Sequence, residues 1–410
     1  MALRNHSLKL LSIQGKTKNP LQMIECDHKM DKIAKVTVLG SGTMGHGIAQ
    51  IAAMAGFNVL LRDVEQKFLD NAMDKIKWSL NKMVEKNKMT RETFEQTLSR
   101  LVPVIDLKES LKDADLVIEA VPEDLSLKRV VYKEVISYAD PETLFASNTS
   151  TLPISEMADL TDRPGSFIGL HFFNPPQLMK LVEVIRGRKT DQSTVDSLMT
   201  FVEELGKTPV LVQKDVAGFI VNRIFIPLVH EAILCKERDG VTYEEIDAAM
   251  KLKLGFPMGI FELADYTGLD VVNKASHEML LRDDKVINPH PLIEKLFEEK
   301  KLGQKTGEGF YVYSSNKYER KDLVQADSTT FDPIAMLAVA TNNAAWLISN
   351  GVCSPSDLEK ALRLGMGLKK ELLATAKEFG IKKIVDKLNE MSDKYGKFYA
   401  PDPYLLKLAG

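Results

Sequence analysis

The feature that most constrains the fold of this chain is a glycine-rich turn between strand and helix patterns. The successive patterns are an apolar strand at 35–39, the turn Gly-x-Gly-x-x-Gly at 40–45, a helix at 46–55 and a second strand at 58–63. Gly40 permits the tight turn, Gly42 allows the backbone to approach a pyrophosphate, and Gly45 allows the helix to pack closely on the strand. Free N–H groups at the helix N-terminus favour phosphate. We therefore predict a dinucleotide site here, with Thr43 and Met44 as further contacts.

Asp63, 23 residues after Gly40, ends the second strand pattern. A carboxylate at this point accepts hydrogen bonds from both ribose hydroxyls and repels a 2′-phosphate, which favours NAD over NADP. Arg62 leaves the strictness of that preference open, because a neighbouring guanidinium could accommodate a phosphate.

Strand and helix patterns continue to alternate after this unit. Helices are predicted at 66–87, 90–101 and 126–138, and strands at 102–105, 116–120 and 144–147. Such alternation predicts a parallel, doubly wound sheet whose ligand lies at the carboxyl ends of the strands. The polar residues expected at that edge are Glu123, Lys128, Asn148, Thr149 and Ser150.

A hairpin is predicted at 167–185, where two apolar strand patterns flank the Asn-Pro-Pro-Gln turn at 174–177. Folding back at this turn brings His171 close to Glu183. A carboxylate beside an imidazole fixes the tautomer and raises the basicity of the ring, which suits a general base. The alternative is a buried histidine unrelated to catalysis and a solvated strand glutamate.

Composition excludes several classes of protein. The net charge of −3 over 410 residues provides no overall basic field for nucleic acid or an anionic membrane, and no apolar run is long enough to span a bilayer. Three widely separated cysteines argue against a disulfide framework or a metal site and favour a reducing, cytoplasmic compartment. Residues 1–34 lack a signal-peptide pattern. Their basic residues leave a transit peptide open, but we favour a loose N-terminal extension.

Five motifs resemble the L-3-hydroxyacyl-CoA dehydrogenases, in order and at family-like spacing from residue 35 to about 313. They are Gly-Ser-Gly-Thr-Met-Gly at 40–45, Ala-Ser-Asn-Thr-Ser at 146–150, His-Phe-Phe-Asn-Pro at 171–175, Gly-Phe-Ile-Val-Asn-Arg at 218–223 and Lys-Thr-Gly-Glu-Gly-Phe-Tyr at 305–311. Within that family the chain looks most like the stand-alone 3-hydroxybutyryl-CoA dehydrogenases, because it carries no hydratase domain.

The resemblance implies an NAD-dependent, reversible oxidation of an (S)-3-hydroxyacyl-CoA to a 3-ketoacyl-CoA. By this resemblance His171 is the base, Glu183 orients it, and Ser150 and Asn222 hydrogen-bond the reacting oxygen or the thioester carbonyl. The family positions that contact NAD correspond to Glu123, Lys128, Ser150, Asn174 and Lys305. Ser79 and Lys86, seven residues apart on one predicted helix face, correspond to positions that contact CoA.

The remainder of the chain is predicted to be helical and weakly repeated. The segment from Gly240 is echoed from Gly351, with further matches of Gly255 to Gly367 and of 268–269 to 380–381. We therefore predict an N-terminal extension at 1–34, a Rossmann-type NAD-binding domain at 35–215, an all-α domain at 216–313 and a degenerate second helical copy at 314–410. A second copy could occupy the surface through which short family members dimerise. A monomer with an internal pseudo-dimer is favoured, and a homodimer is the alternative.

Two other functions remain open from the sequence. One is a catalytically silent relative that binds CoA or NAD, although His171, Glu183, Ser150 and Asn222 are all present. The other is a dehydrogenase of a small 3-hydroxy acid without CoA, in which a lysine of the helical half would be the base. Acyl-chain length and pathway cannot be read from the residues.

Overall fold

The computed structural model describes residues 33–283, 286–314 and 323–410. The prediction for residues 1–34 therefore lies almost wholly outside the described residues, as does Cys26. One sheet of eight strands lies in order β3-β2-β1-β4-β5-β6-β7-β8. The strands are β1 Lys35–Leu39, β2 Asn58–Arg62, β3 Leu101–Val104, β4 Leu116–Glu119, β5 Leu144–Ser147, β6 Phe167–Phe172, β7 Leu181–Ile185 and β8 Thr208–Val212. Strands β1 to β6 are parallel, β7 runs antiparallel to β6, and β8 is parallel to β7.

Both faces of the sheet are buried, which explains why the strands are continuous apolar runs. Along β4, Leu116 and Ile118 belong to one hydrophobic cluster, whereas Val117 belongs to a second cluster on the other face. The second cluster continues without a break into the helical half. The predicted doubly wound fold with a helical domain after it is confirmed.

Seven helices cover the sheet or connect its strands within the described part of this half. They are α1 Gly45–Met54, α2 Gln66–Glu85, α3 Arg91–Ser99, α4 Leu107–Leu111, α5 Leu125–Ile136, α6 Ile154–Ala158 and α7 Gln192–Glu204. Thr90 caps α3, because its side chain accepts from the Thr93 N–H at 3.1 Å. The predicted strand at 102–105 lies one residue earlier, at the sheet edge where Pro103 is tolerated.

The helical half contains, within the described residues, α8 Val221–Asp239, α9 Tyr243–Leu252, α10 Ile260–Thr267, α11 Leu269–Arg282, α12 Pro291–Glu298, α13 Ile334–Ser349, α14 Pro355–Gly365, α15 Leu372–Phe379, α16 Ile381–Tyr395 and α17 Pro403–Ala409. Helix α9 begins with a complete capping box, in which Thr242 and Glu245 bond each other's backbone. Of the segment between the two sets of helices, residues 315–322 lie outside the described residues, and a 3₁₀ helix follows at Gln325–Thr329.

Helices α13 to α16 reproduce local details of α8 to α11. Three glycine pairs share their backbone geometry, with φ of 68° and 63° at Gly240 and Gly351, 75° and 73° at Gly255 and Gly367, and 103° and 100° at Gly268 and Gly380. The Asp247 carboxylate accepts two N–H groups at the start of α10, and the Glu359 carboxylate accepts two at the start of α15. Helix α13 packs along α8, so the two sets of helices face each other within one chain.

Candidate active site

The hairpin of β6 and β7 places His171 directly opposite Glu183. The His171 Nδ1 lies 2.7 Å from the Glu183 Oε2, and both side chains are buried. The other carboxylate oxygen accepts from the N–H groups of Ile220 and Val221, at 3.1 and 3.0 Å, where α8 begins. Glu183 is fully buried, so it is not the solvated strand residue of the alternative interpretation.

This arrangement determines which nitrogen of His171 can act as a base. The ionised carboxylate of Glu183 can only accept, so Nδ1 carries the proton and the lone pair of the neutral ring is on Nε2. The rings of Phe173 and Phe219 lie 4.6 and 5.8 Å from the imidazole, between centroids, and restrict its orientation. An oriented, largely desolvated imidazole of this kind is suited to general acid–base chemistry.

The other two predicted catalytic residues come from two elements, Ser150 from the loop after β5 and Asn222 from α8. The Asn148 Oδ1 accepts from the Phe172 N–H at 3.0 Å, which ties the loop after β5 to the strand residue after His171. The Asn222 amide donates to the Ser150 carbonyl oxygen at 3.4 Å, at the first turn of α8. The hairpin, the loop after β5 and the start of α8 therefore gather His171, Glu183, Ser150 and Asn222 in one region.

The glycine turn has the geometry that its spacing predicted. Gly40 has φ of +94°, and a Cβ there would lie 2.7 Å from the Ala120 carbonyl oxygen. A Cβ at Gly45 would lie 1.7 Å from the Gly40 carbonyl oxygen, so helix and strand could not pack as they do. A Cβ at Gly42 meets nothing within 4 Å, and this backbone is open to the adjoining cavity.

A cavity of about 1200 Å³ extends from this turn to the loop after β5. Its lining includes the predicted contacts Gly40, Gly42, Thr43, Met44, Asp63, Glu123 and Ser150. The Asp63 carboxylate accepts from the Ser41 N–H at 2.7 Å and the Ser41 hydroxyl at 2.6 Å, and it remains only partly buried. Arg62 also lines the cavity. A size and a lining of this kind fit a dinucleotide with its ribose at Asp63.

The far wall comes from the helical half, and the sequence motifs did not reveal it. Its residues on α11 and α12 are Asp270, Val271, Asn273, Lys274, Ala275, His277, Glu294 and Phe297. The Asn273 Oδ1 is buried and has no hydrogen-bond partner among the described residues, a condition that a bound ligand with a donor would relieve. The only signal in the sequence was helical spacing at 270, 273, 274 and 277, which any amphipathic helix would have.

Lys128 does not line the cavity and lies beneath it, only 1% exposed. Its Nζ lies 2.6 Å from the Glu119 Oε1 and 3.3 Å from the Glu123 Oε2. Burial raises the pKa of Glu123, but Lys128 and the hydrogen bonds from Thr149 and Ser150 outweigh it, so the net pKa is lowered. Glu119 was missed by sequence reasoning, although a charge ending an apolar strand was a usable signal.

Four other predicted contacts are not on the cavity wall. Lys305 forms an ion pair with Asp270, which does line the cavity. Asn174 is exposed in the hairpin turn, and Lys86 follows the last turn of α2. Ser79 accepts from the Gln50 amide at 3.0 Å.

The described residues contain no group of three or more His, Cys, Asp or Glu side chains that could hold a metal ion. Within the same ranges, no helix combines the length and the apolar character needed to cross a membrane.

Comparison with known proteins identifies the family. The model of the 3-hydroxyacyl-CoA dehydrogenase NAD binding domain matches residues 35–216, and that of the C-terminal domain of the same family matches 218–313. The mitochondrial hydroxyacyl-coenzyme A dehydrogenase of Rattus norvegicus is 45% identical over 289 residues, covering 68% of this chain and 91% of the relative. The 3-hydroxybutyryl-CoA dehydrogenase of Bradyrhizobium diazoefficiens is 44% identical over 288 residues, covering 70% and 97%.

Solved structures agree with this result. The crystal structure of 3-hydroxybutyryl-CoA dehydrogenase from Escherichia coli superimposes with a TM-score of 0.83 at 29% identity, covering 92% of this chain and 98% of that chain. The (S)-3-hydroxybutyryl-CoA dehydrogenase PaaH1 from Ralstonia eutropha has a TM-score of 0.66 at 36% identity, covering 69% and 100%. The chain therefore belongs to the 3-hydroxyacyl-CoA dehydrogenase family, with NAD as its cofactor.

Proposed function

We propose that the chain catalyses the reversible, NAD-dependent oxidation of (S)-3-hydroxyacyl-CoA to 3-ketoacyl-CoA, with short chains such as 3-hydroxybutyryl-CoA as substrates. The observation that carries the proposal is the 2.7 Å contact between His171 and Glu183, in the region of Asn222 and of Ser150, which lines the dinucleotide-sized cavity. The short-chain relatives of Bradyrhizobium and Escherichia coli support the choice of substrate.

When bound, NAD accepts the hydride that leaves the substrate carbinol carbon. The Nε2 of His171 takes the hydroxyl proton in the same step, and Glu183 stabilises the imidazolium that forms. A positioned base of this kind contributes about 10²–10⁴ in rate. We assign the hydroxyl of Ser150 and the amide of Asn222 to hydrogen bonds with the reacting oxygen or the thioester carbonyl. In the reverse direction the imidazolium of His171 returns the proton.

The polar residues around the cavity have distinct proposed roles toward NAD. Gly40 to Gly45 hold the pyrophosphate with backbone N–H groups, and Asp63 accepts from the adenosine ribose. Glu123 contacts the other ribose, whereas Lys128, buried beneath Glu123, does not touch the ligand. Asn174 and Lys305 remain proposed contacts, and Lys305 would have to exchange Asp270 for the ligand.

Helix α2 supports a site for the nucleotide end of CoA. Lys75, Ser79, Lys82 and Lys86 follow one another at spacings of four, three and four, so they share a helix face. This face starts at the cavity, which Lys75 lines. Lysines at these positions would bind the phosphates as point charges. Trp78 is adjacent to Ser79 and 66% exposed, so its ring can report or contact a bound base.

A chain of two side-chain hydrogen bonds links the hairpin turn to α2. The Gln177 amide in the hairpin turn donates to the Gln50 Oε1 at 3.2 Å, and the Gln50 amide donates to Ser79 at 3.0 Å. A thioester held near His171 could therefore extend its pantetheine over the turn toward Ser79.

Oxidation of NADH in the presence of acetoacetyl-CoA tests the proposed reaction. We expect rapid turnover with acetoacetyl-CoA and little with free acetoacetate at the same concentration. Equal rates with the free acid would support the dehydrogenase that needs no CoA. Binding of NADH without turnover of either compound would support the silent relative. Longer 3-ketoacyl-CoA substrates in the same assay would measure the chain-length preference.

We further infer that the described residues from 323 onward form a degenerate second copy of the helical domain, and that the domain boundaries follow 34, 215 and 313. The paired glycines and the contact of α13 with α8 support this inference. The buried Glu231 of α8 accepts from the Tyr399 hydroxyl at 2.7 Å, so a specific polar contact joins the two copies.

If the second copy replaces a dimer partner, the protein is a monomer. Sedimentation should then give a mass near the 45.9 kDa of one chain, and a species of twice that mass would contradict the inference.

Acyl-CoA is the proposed partner molecule. The two described cysteines, Cys235 and Cys353, are free and buried, which supports a reducing compartment such as the cytoplasm. Fractionation of cells that express the protein would test that location.

A further inference from the structure

A cluster of three charged side chains lies after the carboxyl end of β4, with Glu123 at the cavity wall and Glu119 and Lys128 buried beneath it. Glu119 and Lys128 are 0% and 1% exposed, and Glu123 is 22% exposed in its side chain. One lysine thus faces two carboxylates, with separations of 2.6 and 3.3 Å from Nζ to the nearer oxygen of each. The charge of this cluster depends on whether both carboxylates are ionised.

Glu119 is the acceptor in each of its contacts. Besides Lys128, it accepts from the Val121 N–H at 2.8 Å, the Ser147 hydroxyl at 2.7 Å and the Tyr132 hydroxyl at 3.2 Å. Burial, together with the charge of Glu119, raises the pKa of Tyr132 well above its usual value, so this hydroxyl stays a donor. A carboxylate has the acceptor capacity for all four of these contacts.

Glu123 meets the same condition. It accepts from the Thr149 hydroxyl, from the Ser150 N–H at 2.9 Å and from the Thr151 N–H at 3.3 Å. With one ammonium, that of Lys128, facing two carboxylates, the formal charge of the cluster is −1.

This charge lies at the reaction end of the cavity. Glu123 holds the backbone of Ser150, and the Ser150 carbonyl oxygen accepts from Asn222 in the region of His171. Two further cations lie nearby. Arg282 is paired with Asp215 at 2.6 Å, and Lys274, on the α11 wall of the cavity, lies close to Asp124 and Glu278, so each faces carboxylates outside the cluster.

The nicotinamide ring is positively charged in NAD⁺ and neutral in NADH. We propose that the net negative charge of Glu119, Lys128 and Glu123 strengthens the binding of NAD⁺ relative to NADH. Glu119 and Lys128 are then positioning residues that set the relative affinity for the two oxidation states. A unit charge about 10 Å from the ring, at an effective dielectric constant of about 20, corresponds to a change of roughly tenfold in that relative affinity. The inference rests on the proposed function only in placing the nicotinamide at this end.

The test measures dissociation constants of NAD⁺ and NADH for the full chain, by calorimetry and by NADH fluorescence. Glu119→Gln removes the net charge, so we expect the ratio of the NAD⁺ to the NADH dissociation constant to rise about tenfold. The double variant Glu119→Gln with Lys128→Met restores the charge of −1 and should return the ratio toward that of the parent. Glu123→Gln removes the same charge at a less buried position. It replaces Glu119→Gln as the test variant if Glu119→Gln does not fold.

The double variant separates charge from structure, because it disturbs packing more than the single variant but retains the parent charge. A ratio within twofold of the parent value in both Glu119→Gln and Glu123→Gln would overturn the proposal, even if both affinities fell. The proposal would also be overturned if the ratio of the NAD⁺ to the NADH dissociation constant in the double variant differed from the parent value by more than it does in Glu119→Gln. Turnover of acetoacetyl-CoA is measured separately, so loss of the proposed function cannot be confused with either result.

Discussion

The substitution Glu183→Gln should separate the catalytic role of this residue from its structural role. The carboxylate receives three hydrogen bonds, one from His171 and two from the backbone N–H groups at the start of α8. An amide has one acceptor oxygen and one donor nitrogen. If its oxygen keeps the two backbone N–H groups, its NH₂ must face Nδ1 of His171. The ring then becomes the other tautomer, with the proton on Nε2, and can no longer accept the substrate proton.

The expected magnitudes follow from these contacts. Loss of the base predicts a fall of about 10²–10⁴ in kcat. KM for NADH should change little, because Glu183 does not line the cavity. The two backbone bonds survive but lose their charge assistance, so the free energy of unfolding should fall by about 1–3 kcal/mol.

The assay is NADH oxidation with acetoacetyl-CoA, together with chemical unfolding of the same samples. Glu231→Gln is the matched control, because Glu231 is also fully buried but contacts Arg238 and Tyr399 away from the hairpin. It should lose stability and keep kcat within about a factor of two. A Glu183→Gln enzyme with kcat within fivefold of the parent would refute the tautomer argument.

Three further predictions follow from individual contacts. Asp63→Ala should raise KM for NADH by more than tenfold. It should also lower the ratio of kcat/KM for NADH to that for NADPH, because the Asp63 carboxylate no longer offsets the charge of Arg62 at the same cavity wall. An unchanged ratio would contradict this prediction. Burial lowers the pKa of His230 to about 3. The unfolded ring protonates near pH 6.5 and the folded ring does not. The free energy of unfolding should therefore fall as the pH drops from 6.5 toward 3, by about 2 kcal/mol at pH 5. In His230→Gln the free energy of unfolding, measured by chemical denaturation over that range, should depend less on pH. In a Trp346→Phe background, CoA should change the emission of Trp78 saturably, whereas pantetheine, which lacks the nucleotide, should not.

Most elements of the first half were predictable because local signals agreed with the tertiary fold, although α7 and β8 were not predicted. The turn at Gly40 and the hairpin around His171 combine turn chemistry with buried strand patterns, and each pattern has one low-energy solution. The short helices α4 and α6 were missed, since five residues give too little periodicity to detect.

The site was only partly predictable, because several of its contacts join residues far apart in the chain. Sequence spacing indicated His171 and Glu183, yet the two N–H groups that hold the carboxylate come from the start of α8, 37 and 38 residues later. Lys128 was expected to touch NAD from its position after β4. Its burial against Glu119 depends on how α5 packs across the sheet, which no local pattern reports. The α11 wall of the cavity was missed for the same reason.

The most direct test of the account is the turnover of acetoacetyl-CoA with NADH by the parent and by His171→Gln, with binding of NADH measured for both. We predict rapid turnover by the parent and a loss of about 10²–10⁴ in kcat for His171→Gln. The dissociation constants for NADH should be similar in the two proteins. A variant that retains more than a tenth of the parent kcat would contradict the assignment of His171 as the base. A parent that binds NADH but leaves acetoacetyl-CoA unreduced would contradict the proposed reaction itself.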